Sequence, residues 1–168
     1  MCRDAQRLDY LLLVVTNQAG IARGYYSEDQ FLALTKWMVR KFKEREIGIH
    51  RVYYCPYHPT QGIGRYCFDS EDRKPKPGMF LRARADFNLD LASSVAIGDQ
   101  MSDVHAAEAA GVGTKILLRR GAAATQPQGD RYHVFDSLET IRLRLFSAAS
   151  ADRNKRPKHV DAEEKGTI

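Results

Sequence analysis

Leu11-Leu12-Leu13-Val14-Val15-Thr16-Asn17-Gln18-Ala19-Gly20-Ile21-Ala22-Arg23-Gly24 is the stretch on which the fold turns. Its first five residues are wholly apolar, too few to span a membrane and rich enough in Leu and Val to form a strand buried on both faces. The chain then becomes polar at once, with a hydroxyl, two amides and glycines at Gly20 and Gly24. In an open parallel α/β sheet, ligands bind just beyond the carboxyl ends of the strands. A Thr hydroxyl and free backbone N–H groups at such an edge suit a phosphate oxygen. An ordinary strand-to-helix loop, with Thr16 and Asn17 capping the next helix, would have the same sequence. The loop alone does not separate the two readings.

Outward from this stretch the chain alternates strand and helix. Met1 to Asp9 is polar and reads as the last turns of a helix. Ser27 is an N-cap with Gln30 three residues on, a capping box. Phe31, Leu34, Trp37, Met38 and Phe42 recur at helical spacing and are assigned to the core, and Gly48 is expected to close this helix. Ile49 to Tyr54 is the next strand. Cys55 to Pro77 is a long loop rich in Pro and Gly, of the kind that often carries function. A helix follows from Gly78, then a short buried strand, Ser94 to Ile97. Val104 to Ala110 is a small-residue helix stopped by Gly111. Lys115 to Leu118 is a strand and Leu138 to Phe146 a last helix. The pattern predicts an α/β fold with a parallel sheet. It places one domain over residues 1–146 and a disordered tail over 147–168.

Composition narrows the function. The chain has 168 residues, 43% hydrophobic and 28% charged, enough for one core and its cover. Its formal net charge is +5, but the basic residues are scattered and the densest run, Arg153 to Lys158, lies in the tail. No element interleaves basic and aromatic residues, so no nucleic-acid partner is expected. An anionic substrate explains a mild positive balance equally well. No run approaches the ~18 apolar residues that a membrane helix needs. Three cysteines, an odd number, with no recognisable secretory leader, argue against a disulfide framework. A cytoplasmic protein is the simplest reading, and a monomer if the chain folds.

Two further clusters carry chemistry. In Gly98-Asp99-Gln100-Met101-Ser102-Asp103, Asp99 and Asp103 lie four residues apart just past a buried strand. Carboxylates there suit Mg²⁺, which typically takes one or two of them with waters and a substrate phosphate. Arg73-Lys74-Pro75-Lys76-Pro77-Gly78 presents cations on a proline-stiffened loop. Arg grips phosphate with a planar fork and Lys acts as a point charge. With the Thr16 loop, these clusters read as an electrostatic clamp on a phosphoryl group.

In this order Thr16-Asn17-Gln18, Arg73-Lys74-Pro75 and Gly98-Asp99 with Asp103 resemble motifs II, III and IV of the haloacid dehalogenase superfamily. More narrowly, the stretches from Val14 to Gly24, Tyr53 to Pro59, Arg73 to Met79 and Ile97 to Lys115 are similar to those of the D-glycero-D-manno-heptose 1,7-bisphosphate 7-phosphatases. The histidinol-phosphate phosphatases are near relatives. The resemblance implies a three-layer Rossmann-like parallel sheet and a Mg²⁺-dependent phosphatase acting on a phosphorylated sugar. It implies that Thr16 hydrogen-bonds the phosphoryl group, with Asn17, Gln18 and Ala19 lining the substrate loop. Arg73 would contact substrate, and Lys74 would neutralise charge on the phosphate and the nucleophile. Asp99 would ligate Mg²⁺, Asp103 would support that site, and Gln100 would lie beside it.

The chain departs from the pattern twice. The family's nucleophile and acid/base form a DxD motif at the end of a first hydrophobic strand, the centre of the family sheet. Here Asp4 and Asp9 precede the Thr16 strand and do not fit that place. The expectation is an amino-terminally truncated chain, lacking the central strand, inactive by itself and marginally foldable, with a non-catalytic remnant as the rival reading. The second departure concerns zinc, which many of these phosphatases hold in the long loop. Cys55, His58 and Cys67 with one Asp are the remaining candidates. Tyr57 stands where the family His would be, and the spacing is poor for a tetrahedral site. The loop is expected to be zinc-free and ordered by its prolines and glycines.

Overall fold

A computed structural model of the chain describes residues 1–121 and 131–147. The expected tail therefore lies, beyond Ser147, outside the described residues. In chain order the elements are α1 (Cys2–Arg7), β1 (Leu12–Asn17), α2 (Ala19–Ala22), α3 (Glu28–Lys43), β2 (Ile49–Cys55), α4 (Gly78–Phe87), β3 (Val95–Gly98), α5 (Met101–Ala109), β4 (Thr114–Leu118), β5 (His133–Phe135) and α6 (Leu138–Leu145). A single 3₁₀ turn, Gly64–Tyr66, punctuates the long loop between β2 and α4.

The strands form two parallel sheets. β1 pairs with β2, setting Thr16 opposite Tyr54 and Asn17 opposite Cys55. The second sheet has the order β3-β4-β5. Among the described residues no ladder joins β1 to β3, and a cleft of about 1230 Å³ lies between them, lined by both strands. These are the two edges that the sequence left without a central partner. The sheets are tied at both ends. At the amino ends, Ala5, Ile116, Ile141 and Phe146 form a buried cluster against which Leu12 and Val95 both pack. Tyr10 meets Phe146 edge-on at 5.5 Å between centroids. At the carboxyl ends, Lys74 links β1 to α5, the helix that follows β3, as described below.

The helices follow their side chains. Ser27 Oγ accepts from Gln30 N, and Gln30 Oε1 accepts from Ser27 N, completing the expected capping box of α3. The rest of that expectation needs correction. Phe31 and Thr35 are the buried positions of α3, whereas Leu34 is 61% and Trp37 50% exposed. The helix meets β2 through Phe31, which packs on Tyr54, so the contact runs along 31, 35, 38 and 42 and leaves Trp37 on the flank. The helix also ends at Lys43 rather than at Gly48, and Glu46 takes the positive φ of 59° in the turn that follows. On α4, Met79 and Ala83 pack with Tyr53 and Cys55, joined from β1 by Leu13 and Val15. On α5, Ala106 and Ala107 have no exposed surface; their small side chains let the helix lie close on its sheet. This helix begins at Met101, a turn earlier than expected, because Asp103 caps it. β5 is a strand that the sequence reading missed, being only three residues long.

Candidate active site

Three loops meet where β1 and β3 end. The first follows β1. Thr16 and Asn17 are its last strand residues, and both line the cleft. Asn17 faces the second loop: its Nδ2 donates to Lys74 O at 3.0 Å and its Oδ1 accepts from Lys74 N at 3.0 Å. This two-way pairing imitates a strand ladder and fastens the Arg73–Pro77 loop to β1. The Lys74–Pro75 peptide is cis.

Lys74 then reaches across. Its Nζ donates to Val15 O at 2.7 Å and pairs with Asp103 Oδ1 at 2.6 Å. The side chains of this pair are only 10% and 15% exposed. Asp103 Oδ2 accepts from Gln100 N at 3.0 Å, so both its oxygens are engaged. Gly98 matters here because of close approach: a Cβ on it would collide with the Asp103 side chain. Asp99 lies between these groups in sequence but is exposed, and it too lines the cleft. Gln100 is exposed at the same rim.

Of the residues expected from sequence, Thr16, Asn17, Lys74, Asp99, Gln100 and Asp103 line one cleft at one end of the strands. Gln18 touches the cluster through Thr16: its Nε2 donates to Thr16 Oγ1 at 2.9 Å. Ala19 opens α2 behind it. Arg73 turns elsewhere, its Nη1 donating to Tyr57 O at 3.1 Å in the long loop, and it is not among the cleft-lining residues. The stapling role of Asn17 and the contact of Tyr26 Oη with Gln18 Oε1, at 2.7 Å, were not foreseen. Neither has a spacing signal, because each depends on where a distant segment lands.

The donor set suits a magnesium ion of the loosely held kind. Asp99 is a carboxylate open to solvent, and Mg²⁺ keeps several waters while taking one or two carboxylates. Asp103 is already committed to Lys74 and Gln100, which fixes the Lys74 ammonium at this rim. The zinc candidates behave differently. Cys55 is fully buried against Tyr53 and Met79, and burial pushes its thiol up. His58 Nδ1 accepts from the backbone N–H groups of Thr60 and Gln61, and desolvation, then Arg73 and Arg23, hold its imidazole below the usual range. Cys67 is exposed and donates to Pro59 O. Among the described residues, no group of three or more His, Cys, Asp or Glu side chains is placed to hold a metal.

A hydroxyl, an ammonium and two carboxylates gathered beyond the carboxyl ends of parallel strands place the chain among α/β proteins whose ligand site lies at that edge of the sheet. The model of the HAD-hydrolase-like family matches residues 72–141. The chain is 51% identical over 138 residues to the D-glycero-beta-D-manno-heptose-1,7-bisphosphate 7-phosphatase of Vibrio cholerae, covering 81% of this chain and 74% of that protein. It is 54% identical over 114 residues to the D-glycero-alpha-D-manno-heptose-1,7-bisphosphate 7-phosphatase of Burkholderia mallei, covering 68% of this chain but 60% of that protein. Its fold matches the crystal structure of D,D-heptose 1,7-bisphosphate phosphatase from B. bronchiseptica, complexed with magnesium and phosphate, with a TM-score of 0.69 at 27% identity. That match covers 86% of this chain and 78% of the other. The chain belongs to the heptose 1,7-bisphosphate 7-phosphatase family of haloacid-dehalogenase-like hydrolases.

Proposed function

We propose that this protein hydrolyses the 7-phosphate of a D-glycero-D-manno-heptose 1,7-bisphosphate with the help of Mg²⁺, in the cytoplasm, as a step toward surface polysaccharide. The observation that carries the reading is the meeting of Thr16, Lys74, Asp99 and Asp103 at one rim of the cleft. Thr16 donates its hydroxyl proton to a phosphoryl oxygen. Lys74, held by Val15 O and Asp103, places its positive charge beside that oxygen. Asn17 keeps Lys74 in place through the Lys74 backbone. Arg73, whose Nη1 donates to Tyr57 O in the long loop outside the cleft lining, is assigned to the far, sugar end of the substrate. Asp99 would hold the Mg²⁺, which would supply Lewis-acid withdrawal of charge from the phosphoryl oxygens. The stretch from Ile21 to Gly24 favours a heptose over histidinol phosphate by its likeness to the heptose enzymes.

A second reading, binding of a phosphorylated ligand without turnover, is favoured by one specific observation. Asp4 lies on α1, in ion pairs with the chain's amino group at 3.1 Å and with Arg142. Asp9 precedes β1, whereas Thr16 lies near that strand's far end, roughly 20 Å along an extended chain. Neither carboxylate can serve as nucleophile at the Thr16 rim. One experiment separates the readings: magnesium-dependent phosphate release from heptose 1,7-bisphosphate, run beside calorimetric binding of inorganic phosphate. Release supports the phosphatase. Phosphate binding without release supports the ligand-binding reading, and the absence of both overturns the two together.

A further inference from the structure

Gln18 is the pivot of a hydrogen-bonded chain that ends on the Thr16 hydroxyl. Tyr26 Oη donates to Gln18 Oε1 at 2.7 Å, and Gln18 Nε2 donates to Thr16 Oγ1 at 2.9 Å. The Thr16 hydroxyl has a single proton of its own to give. Its remaining contact is a long one, 3.4 Å to Asn17 O. An amide can turn over, and the two orientations have opposite consequences here. As placed, Gln18 gives a proton to Thr16, and the Thr16 proton is held only by the long donation to Asn17 O. Turned over, Oε1 would face Thr16 and take that proton itself.

The phenol decides between them. Its oxygen lone pair is drawn into the ring, so it donates well and accepts poorly, which draws Oε1 toward Tyr26. Gly20 makes the contact possible, since a Cβ there would run into the Tyr26 ring and hydroxyl. The turn that delivers Tyr26 is closed by Tyr25 N donating to Gly20 O at 2.9 Å. We infer that Tyr26 is a positioning residue: through Gln18 it orients the Thr16 hydroxyl so that its proton is presented to a phosphoryl oxygen. This rests on the phosphate-site reading above, and it adds a residue outside the cleft lining to that site.

The test is a double-mutant cycle read by calorimetric binding of inorganic phosphate in the presence of Mg²⁺. Tyr26→Phe is expected to weaken binding about fivefold, the worth of one net hydrogen bond. In a Thr16→Val background the same change is expected to have no further effect, which a general packing role for Tyr26 would not produce. Gly20→Ala, which displaces the phenol without removing it, should reproduce the loss. In the unmodified protein, the Gln18 side-chain NH₂ protons should show an NMR cross-peak to the Thr16 methyl group rather than to the Tyr26 ring. Cross-peaks to the ring, unchanged binding in Tyr26→Phe, or an equal loss with and without Thr16 would each overturn the inference while leaving the phosphate site standing. Failure of the unmodified chain to bind phosphate would overturn both.

Discussion

Lys74 shows how much one side chain can be asked to do at this site. Its backbone is held by Asn17, its ammonium by Val15 O and Asp103, and the last contact is an ion pair largely shielded from water. Removing one partner of such a pair leaves the other charge uncompensated, which is costlier than the pair itself is stabilising. Lys74→Met should therefore lower unfolding stability by about 3 kcal/mol in urea titration, besides abolishing phosphate binding. Lys74→Met with Asp103→Leu should recover much of the stability but none of the binding. Tyr54 makes a prediction in pH. Burial, then its hydrogen bond to Glu28 Oε1, push the phenol up to about 12 from an ordinary value of 10.0. Below the ordinary value both folded and unfolded forms carry the proton, and stability does not depend on this group. Between about 10 and 12 the unfolded chain loses the proton while the folded one keeps it, so stability falls as pH rises. Alkaline unfolding followed by tyrosinate absorbance should flatten over that window in Tyr54→Phe.

At the scale of elements, α3 separates what periodicity can and cannot tell. Its start was legible because capping is local: Ser27 and Gln30 satisfy each other within one turn. Its inner face was misread by part of a turn, because apolar residues occupy more of the circumference than β2 covers. Phe31, 7% exposed, and Trp37, 50% exposed, give the measurable contrast. Phe31→Ala should cost about 3 kcal/mol, as expected for an emptied core site, while Trp37→Gln should stay within about 0.5 kcal/mol. Chemical denaturation of the two variants checks this directly. The late start assigned to α5 has a related cause. Asp99 and Asp103 stand out in the sequence as a carboxylate pair suited to Mg²⁺, and nothing local shows that Asp103 caps the helix and grips Lys74 at once.

For the whole molecule, the unpaired edges of β1 and β3 are the feature with the widest consequence. β4 is flanked on both sides, whereas β1 and β3 each have one ladder and one edge on the cleft. Amide exchange should be slowest along β4. In β1 and β3 it should alternate, slow for N–H groups in a ladder and fast for those facing the cleft. Uniform protection across β1 would contradict this arrangement. The sequence by itself determined the parallel α/β alternation, the capping of α3 and the residue types of a phosphate site, because these rest on short-range spacing and on the chemistry of single groups. The tertiary structure alone decided that Asn17, lining the cleft, also staples the Lys74 backbone to β1. It decided that Arg73 turns to Tyr57 and that Cys55, His58 and Cys67 do not gather as a metal-ligand set. It also brought Tyr26 to Gln18. Each of these depends on which segments of the folded chain come within reach of one another and which do not, and no local pattern encodes that distance.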